Sequence, residues 1–356
     1  MQISTRVIYV VFFFFSLSLQ TTAQNQITLE EIWGGAFRTE GLDALRSLKN
    51  GKEYVVLNYD RAQRASTIDV YSYQTGEKVR TLVNSANLNE VPYILSYTFS
   101  ADEQKILLAT ELEPVYRHSR LGTYFVYDLN SKTLNRLYSE KVQEPTFSPD
   151  GTQIAFGFEN NLYIKSLSSG NVEQITSDGK KNEIINGITD WVYEEEFAFV
   201  RAFEWNKTGS HIAYIRFDET QVPEFAMDVY GKALYPKSQV FKYPKAGETN
   251  ASVSLHLYNV SEKQTKPVNL SAYNSYYIPR IKWTQDASLL SVQLANRHQN
   301  ILDLVFVDAN TASTQKIHQE KDAAYVDVTD DLTFLPDNSF IWTSERDGWN
   351  HIYHYD

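Results

Sequence analysis

A short unit recurs along this chain: an aromatic residue, a polar turn, then an apolar strand. It reads Phe99-Ser100-Ala101-Asp102 before Ile106-Leu107-Leu108, and Phe147-Ser148-Pro149-Asp150-Gly151 before Ile154-Ala155-Phe156. It returns as Trp205-Asn206-Lys207-Thr208-Gly209 before Ile212-Ala213-Tyr214. Two later copies begin at Trp283 and Phe334, and a degenerate first copy lies near Leu48-Lys49-Asn50-Gly51. Asp-Gly and Asn-Gly pairs supply tight turns between adjacent strands. After each copy comes an alternating stretch, such as Ile68–Tyr71, Tyr124–Asp128, Leu162–Ile164, Leu255–Tyr258, Leu304–Asp308 or Ile352–Asp356. Period-two alternation marks half-buried strands. Copies recur about every 50 residues, and units of roughly 40–50 residues with four strands each are the signature of a β-propeller. A β-sandwich would leave the repetition unexplained. The expected fold is therefore all-β, a β-propeller with six blade starts. Helical periodicity is confined to a stretch around Leu29 to Phe37.

Composition supports this and removes several functions. With 24 Tyr and 19 Phe the chain is rich in strand-favouring residues. A net charge of -11 argues against nucleic acid and anionic membrane surfaces, which need clustered Lys and Arg. No cysteine is present, so there is no disulfide framework, thiolate nucleophile or cysteine metal site. The seven histidines are dispersed, and His351 and His354 are expected on opposite faces of one strand. No metal site is expected. No phosphate loop or dinucleotide fingerprint occurs, so no cofactor is expected either.

The amino terminus is of a different kind. Arg6 precedes an apolar run from Val7 to Leu19, with four Phe at 12–15, and Thr21 and Ala23 fit the small positions before a cleavage site. Residues 1–23 read as a secretory signal peptide, 24–45 as an N-terminal segment and 46–356 as the propeller. An exported protein, periplasmic or extracellular, with no membrane span after cleavage, is the expectation; the short apolar length disfavours an anchor.

Two insertions interrupt the repeat. One runs from about Lys180 to Val200, the other from about Asp218 to Asn250 with Pro223, Pro236 and Pro244. Insertions on a repeat scaffold are where binding residues gather. The first carries Asp190-Trp191-Val192-Tyr193-Glu194-Glu195-Glu196-Phe197. Three adjacent carboxylates ordinarily mark a solvated face. Here the flanking Trp191, Tyr193, Phe197 and Phe199 would hold them against apolar surface, where they favour an arriving cation. A free peptide amino terminus is such a cation, with a pKa of about 7.7–8.0 and three donors when protonated.

At these residues the chain resembles the dipeptidyl peptidase IV branch of the prolyl oligopeptidase family of serine peptidases. D-W-V-Y-E-E-E is similar to that family's amine-binding motif nearly letter for letter. Tyr116-Arg117-His118-Ser119 resembles the segment whose arginine holds the substrate backbone. Tyr243-Pro244-Lys245-Ala246-Gly247 with Asn250 resembles a propeller extension used for dimerisation. The three motifs keep the family's order, and the resemblance runs from about residue 30 to the last residue. It implies that Glu195 and Glu196 bind the substrate's amino terminus, that Arg117 binds a carbonyl oxygen, and that Glu194 is structural or solvated. It implies an enzyme that releases Xaa-Pro or Xaa-Ala dipeptides and is a homodimer when full-length. It also implies eight blades followed by an α/β-hydrolase domain, so that about two blades and the catalytic domain are missing here.

The residues themselves agree on the last point. A serine peptidase of this type needs a G-x-S-x-G elbow followed by Asp and His, and none occurs. No catalytic residue is therefore assigned. Two alternatives stay open: a non-catalytic propeller that binds peptides or proteins, and a propeller from a prolyl tripeptidyl or endopeptidase relative. Arg117 also has a plainer reading, a surface ion pair with Glu111 or Glu113.

Overall fold

The structure is a computed structural model that describes residues 27–356, apart from 40, 42–43 and 274–275. The expected leader, 1–23, lies outside the described residues. The chain divides into two compact units, Met1–Leu45 and Arg46–Asp356. In the first, the expected helical stretch is α1, Leu29–Gly34. Thr28 and Glu31 cap each other reciprocally, and Gly35 ends the helix at φ 79°.

The second unit is a series of antiparallel sheets in chain order. Blade 1 holds β1 (Leu45–Ser47), β2 (Glu53–Asp60), β3 (Ala65–Ser72) and β4 (Lys78–Asn84). Blade 2 holds β5 (Ser96–Phe99), β6 (Lys105–Pro114), β7 (Arg120–Asp128) and β8 (Leu134–Arg136). Blade 3 holds β9 (Gln143–Phe147), β10 (Gln153–Phe158), β11 (Asn161–Ser166) and β12 (Val172–Gln174). In blade 4 the first strand is split into β13 (Ile184–Asn186) and β14 (Phe203–Trp205), both paired with β15 (His211–Asp218). The hairpin of β16 (Glu224–Val229) and β17 (Lys237–Lys242) follows, and β18 (Ser252–Asn259) and β19 (Gln264–Pro267) complete that blade. Blade 5 holds β20 (Tyr277–Trp283), β21 (Leu289–Ala295), β22 (Ile301–Asp308) and β23 (Thr314–Lys321). Blade 6 shows β24 (Thr333–Phe334), β25 (Phe340–Ser344) and β26 (His351–Tyr355).

The recurring sequence unit is the turn between the first and second strand of each blade. Its closing bond repeats: Leu48 N–H to Glu53 O at 2.9 Å, Ser100 to Lys105 at 2.9 Å, Ser148 to Gln153 at 2.8 Å, Asn206 to His211 at 2.9 Å and Thr284 to Leu289 at 3.0 Å. Blade 6 closes one residue shorter, Leu335 to Ser339 at 2.8 Å. Within these turns Gly51, Glu103, Gly151, Gly209 and Asn338 have φ between 58° and 72°, a left-handed geometry that Gly and Asn adopt most easily. That requirement is why Gly or Asn recurs at this position.

Apolar residues run consecutively because both faces of each sheet are covered. Ile106 and Leu108 pack with Val55, Ile68 and Val70 of blade 1, while Leu107 between them packs with Phe147, Ile154 and Phe156 of blade 3. A polar latch repeats between blades. The Trp205 indole donates to the carbonyl of Thr146 at 3.3 Å, and the Trp283 indole donates to the carbonyl of Glu204 at 3.0 Å. In each case the acceptor directly precedes the residue equivalent to the tryptophan in the previous blade.

Both insertions are present, with narrower bounds for the first. Ile184–Asn186 belongs to the blade's own ladder, so the true interruption starts at Gly187. It closes through Ala202 N–H to Gly187 O at 2.9 Å and Thr189 N–H to Val200 O at 3.0 Å. Gly187 has φ 72°, and a Cβ there would lie 3.3 Å from Leu162, so glycine suits both the conformation and the space. The second insertion is the loop between β15 and β18, whose full register pairs Asp218 with Ser252 at the loop's base. No helix among the described residues is long and apolar enough to cross a membrane.

Candidate functional site

The first insertion folds into α2, Trp191–Glu196. Asp190 starts it: its side chain accepts the Tyr193 N–H at 2.9 Å, a standard N-cap bond. Ala198, at φ 57°, ends it. A helix this short has little intrinsic stability and depends on tertiary contacts. Trp191, Tyr193, Glu194 and Glu195 supply them. Trp191 packs on Tyr243, with ring centroids 4.1 Å apart, which ties α2 to the second insertion. Tyr193 is 1% exposed, and its hydroxyl accepts the Ile278 N–H of β20 at 2.9 Å. Phe197, Phe199, Phe217 and Tyr277 surround its ring.

Glu194 reaches the third neighbour. It is wholly buried, and Oε1 accepts the backbone N–H groups of His118 and of Ser119, the latter at 2.9 Å. Of the two readings offered for Glu194, structural or solvated, its burial fits the structural one. The helix turns this position inward, toward the 115–119 turn between β6 and β7. That turn is also held from its carbonyl side: Arg120 NH1 donates to Ser119 O at 2.9 Å and to Tyr116 O at 3.2 Å.

The same turn presents Arg117. Its Nε donates to Glu195 Oε2 at 2.8 Å, with the Arg117 side chain 70% exposed and that of Glu195 17%. The plainer partners are occupied elsewhere. Glu111 accepts from the Thr123 hydroxyl at 3.1 Å, and Glu113 pairs with Lys141. Glu196 is exposed and takes no protein partner among the described residues. It lines a cleft of about 760 Å³ with Trp191, Phe225, Tyr243, Tyr277 and Arg297. Of the three residues singled out from the sequence, Arg117 and Glu195 are therefore in contact, and Glu196 stands one position beyond on the open side. Asn250, from the third motif, donates to the Tyr277 hydroxyl at 2.7 Å.

Further carboxyl groups lie beneath. Burial pushes the Asp190 carboxyl up to about 6, against the lowering effect of its backbone hydrogen bonds. Burial also pushes Glu219 up to about 7, reinforced by the charge of Asp190 and opposed by Lys242. The Tyr116 phenol is raised by burial and then by Glu219, Asp190 and Glu194. The site is thus strongly acid-lined, with Arg117 placed at its edge, an arrangement suited to a cation that also carries an acceptor. Among the described residues no group of His, Cys, Asp and Glu could hold a metal ion.

Sequence reasoning placed Trp191 and Tyr193 against apolar surface and allowed a structural Glu194, but it did not reach the capping role of Asp190 or the partners of the other three. One signal was available. An Asp directly before an aromatic-acidic run is a helix-start signature, and a helix from Trp191 places Tyr193 and Glu194 away from Glu195.

Known proteins resemble the chain in sequence and fold. Residues 100–356 match the family model described as the dipeptidyl peptidase IV N-terminal region. A probable dipeptidyl-aminopeptidase B of Chaetomium globosum is 30% identical over 87% of this chain and 37% of its own length. Its counterpart in Podospora anserina is 32% identical over 85% of this chain and 36% of its own. The crystal structure of Porphyromonas gingivalis dipeptidyl peptidase 4 superposes with a TM-score of 0.86 at 38% identity, covering 94% of this chain and 48% of that one. The chain thus spans between about a third and a half of these relatives. More than half of its own residues fall within the matched region, and it belongs to the dipeptidyl peptidase IV N-terminal region family as a β-propeller portion.

Proposed function

We propose that this chain is the substrate-recognition propeller of an exported serine exopeptidase that releases Xaa-Pro and Xaa-Ala dipeptides from peptide amino termini. The observation that carries the reading is the placement of Glu195 and Glu196 on the last turn of α2, with Glu195 paired to Arg117. Two carboxylates anchor an ammonium group by charge-assisted hydrogen bonds. The NH1 and NH2 groups of Arg117, free of protein partners among the described residues, offer a planar fork to a backbone carbonyl. Anchoring the amino terminus fixes the distance from it to a nucleophile, so cleavage falls after a set number of residues. These 356 residues contain no G-x-S-x-G, and the nucleophile lies outside them. The chain by itself accordingly turns over no Gly-Pro chromogenic amide.

The test is calorimetric titration of the chain with a Gly-Pro peptide amide, with its amine free or acetylated. The free-amine peptide binds and the acetylated one does not. Glu195→Gln and Glu196→Gln each weaken binding roughly 10- to 150-fold, the equivalent of about 1.5–3 kcal/mol for a charge-assisted bond. Equal binding of free and acetylated peptide would overturn the reading.

The apolar run at 7–19 supports export. The β16–β17 hairpin exposes Met227, Tyr230, Leu234 and Tyr235, a surface we assign to a second copy of the chain. Sedimentation should give a dimer that Leu234→Asp and Tyr235→Asp dissociate; a monomer at every concentration would refute it.

A further inference from the structure

We infer that Glu194 is a positioning residue: it sets the place of Arg117 by gripping the backbone of the turn that carries it. The inference rests on the reading of Arg117, Glu195 and Glu196 as peptide-binding residues. Four observations lead to it. Glu194 is fully buried, although a carboxylate heading a run of three would be expected to face water. Its Oε1 accepts two consecutive backbone N–H groups, His118 and Ser119, which are the residues directly after Arg117. Its Oε2 is buried with no hydrogen-bond partner. Finally, Arg117 and Glu195 meet across the same junction, one residue along from each end of this grip.

The geometry makes the two contacts differ in kind. The Arg117–Glu195 pair is a contact between side chains, one of them largely exposed, and such pairs hold geometry weakly. The Glu194 contact is buried and made to backbone, so it fixes where the Cα of Arg117 lies. Arg120 holds the carbonyl side of the same turn. The 115–119 turn is therefore clamped by a negative group at its N–H side and a positive group at its carbonyl side. Burying a carboxylate with an unpaired oxygen is unfavourable for folding. A site in which an arginine must be held within a fraction of an ångström of a bound peptide gives that burial a purpose.

The experiment compares Glu194→Gln, which keeps an acceptor oxygen, with Glu194→Met, which keeps the volume and removes both oxygens. Glu194→Asp, with its oxygens withdrawn by one methylene, serves if Glu194→Met does not fold. Amide exchange followed by mass spectrometry reads the grip directly. His118 and Ser119 should exchange at least tenfold faster in Glu194→Met or Glu194→Asp, and at close to the wild-type rate in Glu194→Gln. Titration with the free-amine Gly-Pro peptide amide reads the consequence. Arg117→Ala should weaken binding at least tenfold in the wild-type background and less than twofold beside Glu194→Met. Glu195→Gln should still weaken binding beside Glu194→Met, because the amine anchor does not depend on the turn. Unchanged exchange at His118 and Ser119, or a full Arg117→Ala effect beside Glu194→Met, would overturn the inference and leave the amine anchor standing. Loss of the Glu195→Gln effect in the wild-type background would instead overturn the functional reading beneath it.

Discussion

The Nε of Arg117 lies 2.8 Å from Oε2 and 3.2 Å from Oε1 of Glu195, a residue 78 positions further along the chain. One donor nitrogen serves both oxygens, and the two terminal nitrogens are left for other work. The pair joins blade 2 to the first insertion of blade 4 at the surface. Its worth to folding is small, because exposed pairs contribute about 0–1 kcal/mol. A double-mutant cycle with Arg117→Met and Glu195→Gln, read by urea unfolding, should give a coupling below about 1 kcal/mol that shrinks with added salt. A larger, salt-independent coupling would make the pair a structural staple.

Tyr193 carries the opposite balance. Its hydroxyl is the partner of a buried backbone N–H, that of Ile278. Tyr193→Phe keeps the ring and strands that donor, which costs about 1–3 kcal/mol. The urea midpoint should fall accordingly, and wild-type stability in Tyr193→Phe would show that the Ile278 N–H has another partner.

The buried acids make stability depend on pH. Burial keeps the folded values of Asp190 and Glu219 at about 6 and about 7, above those of the unfolded chain. Below about pH 4 both states hold the proton and neither group contributes. As pH rises from the unfolded values of about 4 to the folded values, the unfolded chain has released protons that the folded chain retains, so stability falls, and it levels off once the folded groups ionise too. The urea midpoint should drop from about pH 4 to about pH 7. Glu219→Gln and Asp190→Asn should each flatten the drop, the latter while keeping a capping side chain. A wild-type slope in both variants would rule out these two groups as its source.

The tryptophan latches act between blades rather than at the site. Trp205→Phe and Trp283→Phe each remove one indole bond to a carbonyl of the preceding blade. Each should lower stability by about 0.5–1.5 kcal/mol and leave peptide binding unchanged. A loss of binding without a loss of stability would place these residues in recognition instead.

Much of the fold was legible because the turn chemistry repeats. Five of the six blade turns hold a residue at positive φ, and Gly51, Gly151, Gly209 and Asn338 mark four of them in the sequence; an apolar strand follows each to fill two interfaces. Glu103 shows the limit: at φ 58° it does the same work without a glycine to announce it. In the site, the acidic and basic residues could be named from their order, but not their separate duties. Which of three adjacent glutamates faces inward depends on the helical phase set by Asp190 and on a turn 75 residues away that supplies the N–H groups for Glu194. The partnership of Trp191 with Tyr243 likewise follows from how two insertions meet, which no local pattern encodes.

The split first strand of blade 4 has a consequence for the place of the proposed recognition residues. Ile184–Asn186 and Phe203–Trp205 both pair with β15, and Gly187 and Ala202 carry the bonding to Ile215 across the gap. The blade is therefore complete without residues 188–201. Those residues are an insert outside the blade's ladder, fastened to the core through Ile188, Tyr193 and Phe197 rather than through strand pairing. On the proposed reading, Glu195 and Glu196, the residues that would meet a peptide's amino terminus, thus lie in a stretch that the sheet's own hydrogen bonding does not require.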